Sequence, residues 1–261
     1  RQGFFIPYRY AESVPDYKVG SKYRHIENMF DNSRSLFREQ ISHISQYTDE
    51  LRQIGPDTPP QPRWNQTWFP PLDAAIAYAM VRQHAPKYII EVGSGHSTRF
   101  LARAVSDGLL DTRIVAIDPA PRASIDGLNI TVEPATIHEV DVLYFELLKP
   151  GDILFIDSSH IMMPGTDVDF LFNQIFGQLK AGVIIHIHDI FLPDDYPQSW
   201  KWRGYNEQLG VAALLQGQGF DVLFASNYVA KHMREALQGT LIAELDRPKG
   251  IYETSLWLKK C

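Results

Sequence analysis

Short apolar runs alternate with helical patterns over residues 72–259. Seven runs predict β-strands, and in chain order they are YIIEVG, RIVAID, LNITVE, DILFID, GVIIHIHD, FDVLFAS and YETSLWLK. Strands that are apolar on both faces and separated by helices are typical of a parallel sheet covered on both sides. The alternation therefore predicts an α/β fold built on one mostly parallel sheet. The last two strands follow each other with a shorter connection, which predicts an antiparallel edge.

The first part of the chain lacks this alternation. Residues 1–24 are aromatic and irregular, and apolar side chains recur at helical spacing over residues 23–54, as one long helix or two joined. The segment GPDTPPQPRWNQTWFPP follows, in which each proline removes a backbone donor and disfavours a helical residue before it. We therefore predict an N-terminal arm, helical appendage and proline-rich junction over residues 1–67, and the main domain over residues 68–261.

Composition argues against several classes of function. The formal net charge is -6, and the chain has no cluster of Lys and Arg like those of nucleic-acid binders, so we expect no nucleic-acid partner. The most apolar stretch, AGVIIHIHDIF, contains a charge and is too short to span a bilayer, so we expect no membrane partner. The only cysteine is Cys261, which excludes an intrachain disulfide and fits a cytoplasmic protein.

A glycine-containing turn, EVGSGHST, joins the first predicted strand to the next helix. Gly93 and Gly95 let the backbone pass close to a ligand, and the helix that begins near Ser97 presents free amide donors there. The second strand ends at Asp118, whose carboxylate can accept hydrogen bonds from both hydroxyls of a ribose. Ligands of open α/β sheets bind outside the carboxyl ends of the strands. Together the turn and the aspartate predict a nucleoside site.

These two features resemble motif I and the acidic second-strand motif of class I S-adenosylmethionine-dependent methyltransferases, in particular those that methylate small-molecule oxygens. A dinucleotide dehydrogenase more often has three glycines, and Thr98 stands in the place of the third. The resemblance covers residues 68–259 and implies a Rossmann-like fold of seven strands with the last one antiparallel. It implies S-adenosylmethionine as the cofactor, with Glu133 and Pro134 near its adenine. The other residues that it assigns to the cofactor site are Glu91, Gly93, Ser94, Gly95, Ser97, Asp118 and Asp157.

Polar side chains follow the fourth and fifth predicted strands. Asp157 ends the fourth strand and His160 comes three residues later, while the fifth ends with His186, His188 and Asp189. Neighbouring parallel strands end at the same edge of a sheet, so we expect these side chains to lie together beside the cofactor. His160 and His188 are candidate bases for a substrate hydroxyl, and Asp157 is a third candidate catalytic residue. His186 is expected to be a buried strand histidine.

The same cluster resembles the site of metal-dependent small-molecule O-methyltransferases and of the cephalosporin-hydroxylase-like group, in which an aspartate after strand four and an acidic pair after strand five hold magnesium. Asp157 and Asp189 match those positions, whereas His188 stands where a carboxylate is more usual. The resemblance therefore implies a divalent cation, magnesium or a softer metal, held by Asp157, His188 and Asp189. The alternative is a metal-free cluster with a histidine base.

Two segments outside the strands are candidates for covering the site. The segment FLPDDYPQSWKWRGYNEQLG, after the fifth strand, is expected to form a lid or an acceptor wall. Its candidate acceptor contacts are Arg203, Tyr205 and Glu207, with Asn206 as an alternative helix cap. The N-terminal tyrosines are expected to complete the pocket or to pack on the second subunit of a homodimer, and they are Tyr8, Tyr10 and Tyr17.

The sequence thus predicts an enzyme that transfers the methyl group of S-adenosylmethionine to a small-molecule acceptor, at a hydroxyl oxygen. Two alternatives stay open. One is a nicotinamide-dependent oxidoreductase on a Rossmann sheet, and the other is a non-catalytic protein that binds a nucleoside.

Overall fold

A seven-stranded sheet forms the centre of the computed structural model, which describes residues 3–14, 23–55, 58–246, 248 and 250–261. The strands are β1 Tyr88–Val92, β2 Arg113–Ile117, β3 Thr131–Glu133, β4 Ile153–Ile156, β5 Ile184–Ile187, β6 Phe220–Ala225 and β7 Leu256–Lys260. Their order across the sheet is β3-β2-β1-β4-β5-β7-β6. All neighbours from β3 to β5 are parallel, and β7 is antiparallel to both β5 and β6. The predicted α/β sheet with an antiparallel last strand is confirmed.

The antiparallel pair closes one side of the sheet, with β6 outermost and β7 inserted between β5 and β6. The burial of each strand fits its place. Leu256, Trp257 and Leu258 of β7 are all buried, as an interior strand requires. In β6 the buried Phe220 and Val222 flank an exposed Asp221, and a charged side chain of this kind is typical of a sheet edge.

Helices cover both faces of the sheet. The α-helices are α1 Arg24–Asn32, α2 Arg34–Gln46, α3 Thr48–Arg52, α4 Pro71–His84, α5 His96–Asp107, α6 Leu143–Glu146, α7 Asp167–Phe170, α8 Glu207–Gln216, α9 Ser226–His232 and α10 Leu241–Glu244. A π-helical turn, Leu171–Ile175, continues α7, and short 3₁₀ turns lie at Ala11–Ser13, Gln198–Arg203 and Arg234–Leu237.

The sequence of residues 137–148, IHEVDVLYFELL, predicts a helix from its apolar spacing, and this prediction is mostly wrong because only α6 forms there. Local side-chain hydrogen bonds hold the preceding residues in turns. Glu139 accepts from the backbone and hydroxyl of Thr136, and Asp141 accepts from the amide of Leu143. Such bonds give the backbone an alternative to helical pairing.

The N-terminal helices pack into the same core as the sheet. The predicted helical segment is broken at Ser33 and Tyr47 into three helices. Phe37 of α2 is fully buried and contacts Phe224 of β6, with ring centroids 5.7 Å apart. The appendage is therefore joined to the sheet by apolar packing, and the proposed division at residue 67 stays a prediction.

A reciprocal set of hydrogen bonds ties the start of α4 to the segment before β7. The Glu253 carboxylate accepts from the amides of Leu72 and Asp73, two amides of the first helical turn that lack intrahelical partners. The buried Asp73 carboxylate accepts in return from the amides of Thr254 and Ser255. These bonds fix Thr254, whose hydroxyl donates to Asp189 beyond β5.

The described part of the N-terminal arm is exposed. Phe5 is 90% exposed, and the rings of Tyr8 and Tyr10 contact each other at 6.0 Å. Neither tyrosine lines a cavity of the site, and Tyr17 lies outside the described residues. Across the described ranges, no helix has the length and apolar character needed to cross a membrane.

Gly93 tests how tightly the loops after β1 and β4 are packed. Its φ is 81°, and an added Cβ would lie 1.8 Å from the carbonyl oxygen of Asp157, whereas Gly151 has a φ of 90° and open space around it. We expect Gly93→Ala to lower the free energy of unfolding by about 3 kcal/mol or more, because strain and overlap add. Gly151→Ala should cost only about 1–2 kcal/mol of strain. Urea denaturation of both variants measures this, and equal losses would contradict the packing argument.

Candidate active site

Both glycines of the turn after β1 make room for protein backbone. Gly93 faces the carbonyl of Asp157, and a Cβ on Gly95 would lie 3.2 Å from the amide nitrogen of Ala123. The loops that follow β4 and β2 therefore both close onto this turn. The expectation that the glycines admit a ligand stays a prediction, and packing between loops is a second reason for each of them.

Asp118 fastens the same turn to the end of β2. One of its carboxylate oxygens accepts from the amide and hydroxyl of Ser94, at 2.7 and 3.1 Å, and the other accepts from the amide of Ala120 at 2.7 Å. A carboxylate has about four acceptor positions, so three are in use and one is left for a ligand hydroxyl. Asp118 thus shapes the turn and keeps capacity for the predicted ribose contact.

Glu91 lies beneath the turn and is fully buried. One of its oxygens accepts from the hydroxyl of Ser97 at 2.6 Å, and the other has no hydrogen-bond partner among the described residues. Burial raises the pKa of Glu91 to about 8, and the charges of Asp157 and Asp118 add to that effect. The carboxyl is therefore mostly protonated at neutral pH, and its free oxygen can donate or accept a hydrogen bond.

A cavity of about 450 Å³ opens at the carboxyl edge of β1, β2 and β4. One side is formed by Gly93, Ser94, Asp118 and Asp157, which are predicted cofactor contacts. The far wall comes from Ala135, Thr136, Ile137, His138 and Asp167. Glu133 and Pro134, expected near the adenine, do not line it; Glu133 instead accepts a hydrogen bond from the hydroxyl of Tyr144.

The loops after β4 and β5 bring the predicted polar cluster together around His160. Nε2 of His160 lies 3.3 Å from a carboxylate oxygen of Asp157 and 3.4 Å from one of Asp189, and Nδ1 lies 2.9 Å from Glu207. His160 and Asp189 both have positive φ, 60° and 56°. Strained backbone of this kind is common at functional sites, because surrounding contacts must hold it in place.

The charges of this cluster determine its protonation. Burial lowers the pKa of His160, but the carboxylates of Asp189, Asp157 and Glu207 outweigh burial and raise it well above the usual value. Burial likewise raises the pKa of Asp157, and the rings of His188 and His160 outweigh it, so that the carboxyl stays below its usual range. His160 is thus held as a cation with both nitrogens engaged, which makes it a poor proton acceptor at neutral pH.

The two histidines of β5 and its end differ in environment. His186 stacks on Phe155 with centroids 3.7 Å apart, and its Nε2 pairs with the hydroxyl of Ser255, while burial lowers its pKa well below the usual value. It is a neutral core residue, as predicted. For His188 the carboxylates of Asp157 and Asp189 outweigh burial and raise the pKa. Its Nδ1 has no hydrogen-bond partner among the described residues.

The predicted metal ligands do not form a metal site. No group of three His, Cys, Asp or Glu side chains within the described ranges is arranged to hold a metal ion. Asp157 and Asp189 do approach each other, but the His160 ring contacts both carboxylates at once. The residues present therefore do not fit the divalent cation that the sequence resemblance implies.

Two further cavities extend the site along the sheet edge. One of about 60 Å³ shares Ser94, Arg122 and Asp157 with the large cavity, and it shares Trp68, Asp189 and other lining residues with one of about 270 Å³. The two smaller cavities together form a path along the polar cluster, next to the large cavity.

Aromatic and cationic side chains form the walls of this path. Arg122 stacks on Trp68 at 4.5 Å and Arg203 on Trp200 at 4.2 Å. The segment after β5 does form a wall of the path, through Trp200, Arg203 and Tyr205. Glu207, in contrast, is fully buried against His160 and faces no cavity.

Sequence reasoning missed Trp68, Arg122 and Trp200. An exposed tryptophan in a proline-rich junction was the available signal for Trp68, which is 50% exposed.

Asn206 does not cap α8 with its side chain, and instead bonds to the amide and carbonyl of Met162. It thereby joins the loop after β4 to the segment after β5.

Comparisons with known proteins point to one family. Residues 90–190 match the family model described as a methyltransferase domain. No curated protein matches the chain significantly.

Solved structures with similar folds include a methyltransferase of Podospora anserina bound to S-adenosylhomocysteine (17% identity, TM-score 0.45, covering 100% of both chains). An O-methyltransferase from Bacillus cereus has 14% identity and a TM-score of 0.44, with 90% of this chain and 100% of that chain covered. The O-methyltransferase TomG from Streptomyces achromogenes has 15% identity and a TM-score of 0.40, with 92% and 98% covered. At this similarity no residue role is transferred.

Glu91 gives a prediction on stability. Its pKa is raised from an ordinary value near 4.5 to about 8, so the folded state holds the proton more tightly than the unfolded state does. The penalty of ionising Glu91 is absent below pH 4.5 and grows up to pH 8, by as much as about 1.4 kcal/mol per pH unit. We expect Glu91→Gln to gain stability relative to wild type between pH 5 and pH 8, as measured by urea denaturation. The exposed Glu39→Gln is the control, and parallel pH profiles for wild type and Glu91→Gln would refute the prediction.

Proposed function

We propose that this protein, whose residues 90–190 match the methyltransferase-domain family model, transfers the methyl group of S-adenosylmethionine to a hydroxyl oxygen of a small molecule. The observation that carries the proposal is that two neighbouring cavities share Asp157 as a wall. The 450 Å³ cavity lies beside the glycine turn, and the narrower one is lined by aromatic side chains. A donor and an acceptor bound in the two parts would meet at Asp157.

Four of the predicted cofactor residues line the large cavity, namely Gly93, Ser94, Asp118 and Asp157, and Asp118 retains one acceptor position for a ribose hydroxyl. Ser97 lines the narrow path instead, and the buried Glu91 lies beneath the turn with one oxygen that has no partner among the described residues. A cofactor contact of Glu91, Gly95 or Ser97 therefore stays a prediction. When bound, S-adenosylmethionine supplies an electrophilic methyl group on a sulfonium. The protein then contributes mainly by holding both reactants in line.

In this proposal Asp157 orients the acceptor hydroxyl, and His188 is the candidate base that removes its proton. Asp157 lines both the large cavity and the narrow path, and its side chain is 30% exposed, so it can accept a hydrogen bond from the acceptor hydroxyl. His188 lines the path with Asp189 and has a nitrogen without a partner among the described residues. His160 holds Asp157 and Asp189 in position. The predicted divalent cation has no part in these steps.

The acceptor is proposed to be a small molecule with a planar portion. Trp68 and Trp200 provide faces for such a group, and Arg122 and Arg203 provide donors beside them. The acidic composition supports the absence of a nucleic-acid partner. A cytoplasmic location and a homodimer remain predictions.

Ligand binding and turnover separate the three classes of function. We expect calorimetry to detect binding of S-adenosylmethionine and S-adenosylhomocysteine and no binding of NAD. Incubation of the protein and S-adenosylmethionine with phenolic, sugar and polyketide hydroxyl compounds should then release S-adenosylhomocysteine with at least one compound class. Binding of NAD alone would favour the oxidoreductase, and cofactor binding with no acceptor-dependent release would favour the non-catalytic protein.

Asp118 tests where the ribose binds. We expect Asp118→Ala to weaken the affinity for S-adenosylhomocysteine by about 1–3 kcal/mol, roughly 5- to 150-fold, because hydrogen bonds to a charged group are lost. Asp126→Ala is the matched control, since it removes an exposed carboxylate of the same segment that does not line the cavity. Thermal unfolding establishes that both variants are folded. Unchanged affinity in folded Asp118→Ala would contradict the prediction that the ribose of the cofactor binds to Asp118.

A further inference from the structure

Among the residues that the structure describes, His160 is the one whose ring forms ion-pair contacts with both Asp157 and Asp189 of the predicted metal site. Its Nε2 lies 3.3 Å from Asp157 and 3.4 Å from Asp189, so a single N–H group faces two carboxylate oxygens. The ring therefore occupies the position between the two carboxylates that a bound ion would need in order to be held by both of them.

We propose that the ring of His160, anchored by Glu207, stands in the place of a divalent cation between Asp157 and Asp189, and that this protein therefore binds no metal ion at its active site. The chain departs here from the metal-dependent enzymes that its sequence resembles. In this arrangement His160 is a positioning residue, because it acts on the acceptor only through the two carboxylates.

Three contacts hold the ring in place. Nδ1 lies 2.9 Å from a carboxylate oxygen of Glu207, which is fully buried at the start of α8. The carbonyl of His160 accepts from the amides of Asn206 and Glu207, so the same helix end fixes the backbone. The ring also packs on Tyr205, with centroids 4.6 Å apart. Only 3% of the residue is exposed, so the ring cannot swing out to admit an ion without opening the loop.

The backbone of His160 adds a further constraint. Its φ of 60° is in the left-handed region, which costs an L-residue about 1–2 kcal/mol, although histidine is among the residues enriched there. The surrounding contacts must supply that energy. A loop that needed only to connect β4 with α7 would have no reason to keep this conformation at a buried, charged residue.

Removal of the ring should create a metal site. We expect the wild-type protein to bind no Mn²⁺ at millimolar concentration, as measured by electron paramagnetic resonance of free Mn²⁺. His160→Asn should bind Mn²⁺ with a dissociation constant at least about tenfold below the wild type's detection limit, because the two carboxylates then face an open position that an oxygen-preferring ion can fill. Asparagine is chosen because it tolerates left-handed backbone. His25→Ala is the control, since it removes an exposed histidine far from the carboxylates in sequence.

A second variant assigns the gained ion to the carboxylate pair. His160→Asn combined with Asp189→Asn should lose the Mn²⁺ affinity that His160→Asn gained. If His160→Asn does not fold, as judged by thermal unfolding, Glu207→Gln weakens the anchor of the ring and should also raise Mn²⁺ affinity. Stoichiometric Mn²⁺ binding by the wild type that Asp189→Asn abolishes would overturn the proposal. Folded variants without any gain in affinity would overturn it as well. None of these readouts requires methyl transfer, so they stand apart from the proposed function.

Discussion

The candidate site depends on the close approach of the loops that follow β1 and β4. Gly93 lies against the carbonyl of Asp157 so closely that no side chain could stand between them. Because β1 and β4 are parallel neighbours, this contact sets where the large cavity ends and where the Asp157 side chain begins. Asp118 then pins the other flank of the turn through Ser94. These two contacts fix the turn after β1 relative to the ends of β2 and β4, whereas Asp189 and His160 are held by contacts of their own.

Much of the fold could be predicted because strands that are buried on both faces of a parallel sheet have continuous apolar runs in the sequence. Six of the seven strands lie within the predicted runs and β7 extends one residue beyond its run, to Lys260, while the turn after β1 lies where two glycines mark it. The helix over residues 137–148 failed for a reason that periodicity does not detect. Apolar spacing there was adequate, but the side chains of Glu139 and Asp141 bond to nearby backbone amides, and those bonds override a weak helical preference.

The grouping of the polar cluster could be predicted from strand ends, but its internal arrangement could not. Glu207 is 47 residues from His160 in sequence, and nothing in a helix start identifies it as the partner of a histidine. That contact engages Nδ1 of His160 and adds to the effect of Asp189 and Asp157, which raise the pKa of the ring. In the same way, Trp68 belongs to a proline-rich junction whose path over the sheet depends on tertiary packing. The sequence indicates which polar side chains lie at the carboxyl edge of the sheet. Their protonation depends on which of them contact one another, and that is a property of the tertiary structure.

The protonation states matter because, in the proposed reaction, a sulfonium meets an oxygen nucleophile and charge is dispersed in the transition state. Two unopposed carboxylates beside the sulfonium would stabilise the charged ground state more than the transition state and so slow the transfer. The His160 cation offsets one of those negative charges, and burial keeps the nearby Glu91 mostly protonated. Asp157 is thereby left as an ionised acceptor of hydrogen bonds at the junction of the two cavities. The buried Glu207 lines none of the cavities of the site. It keeps the His160 ring in this position through the contact with Nδ1.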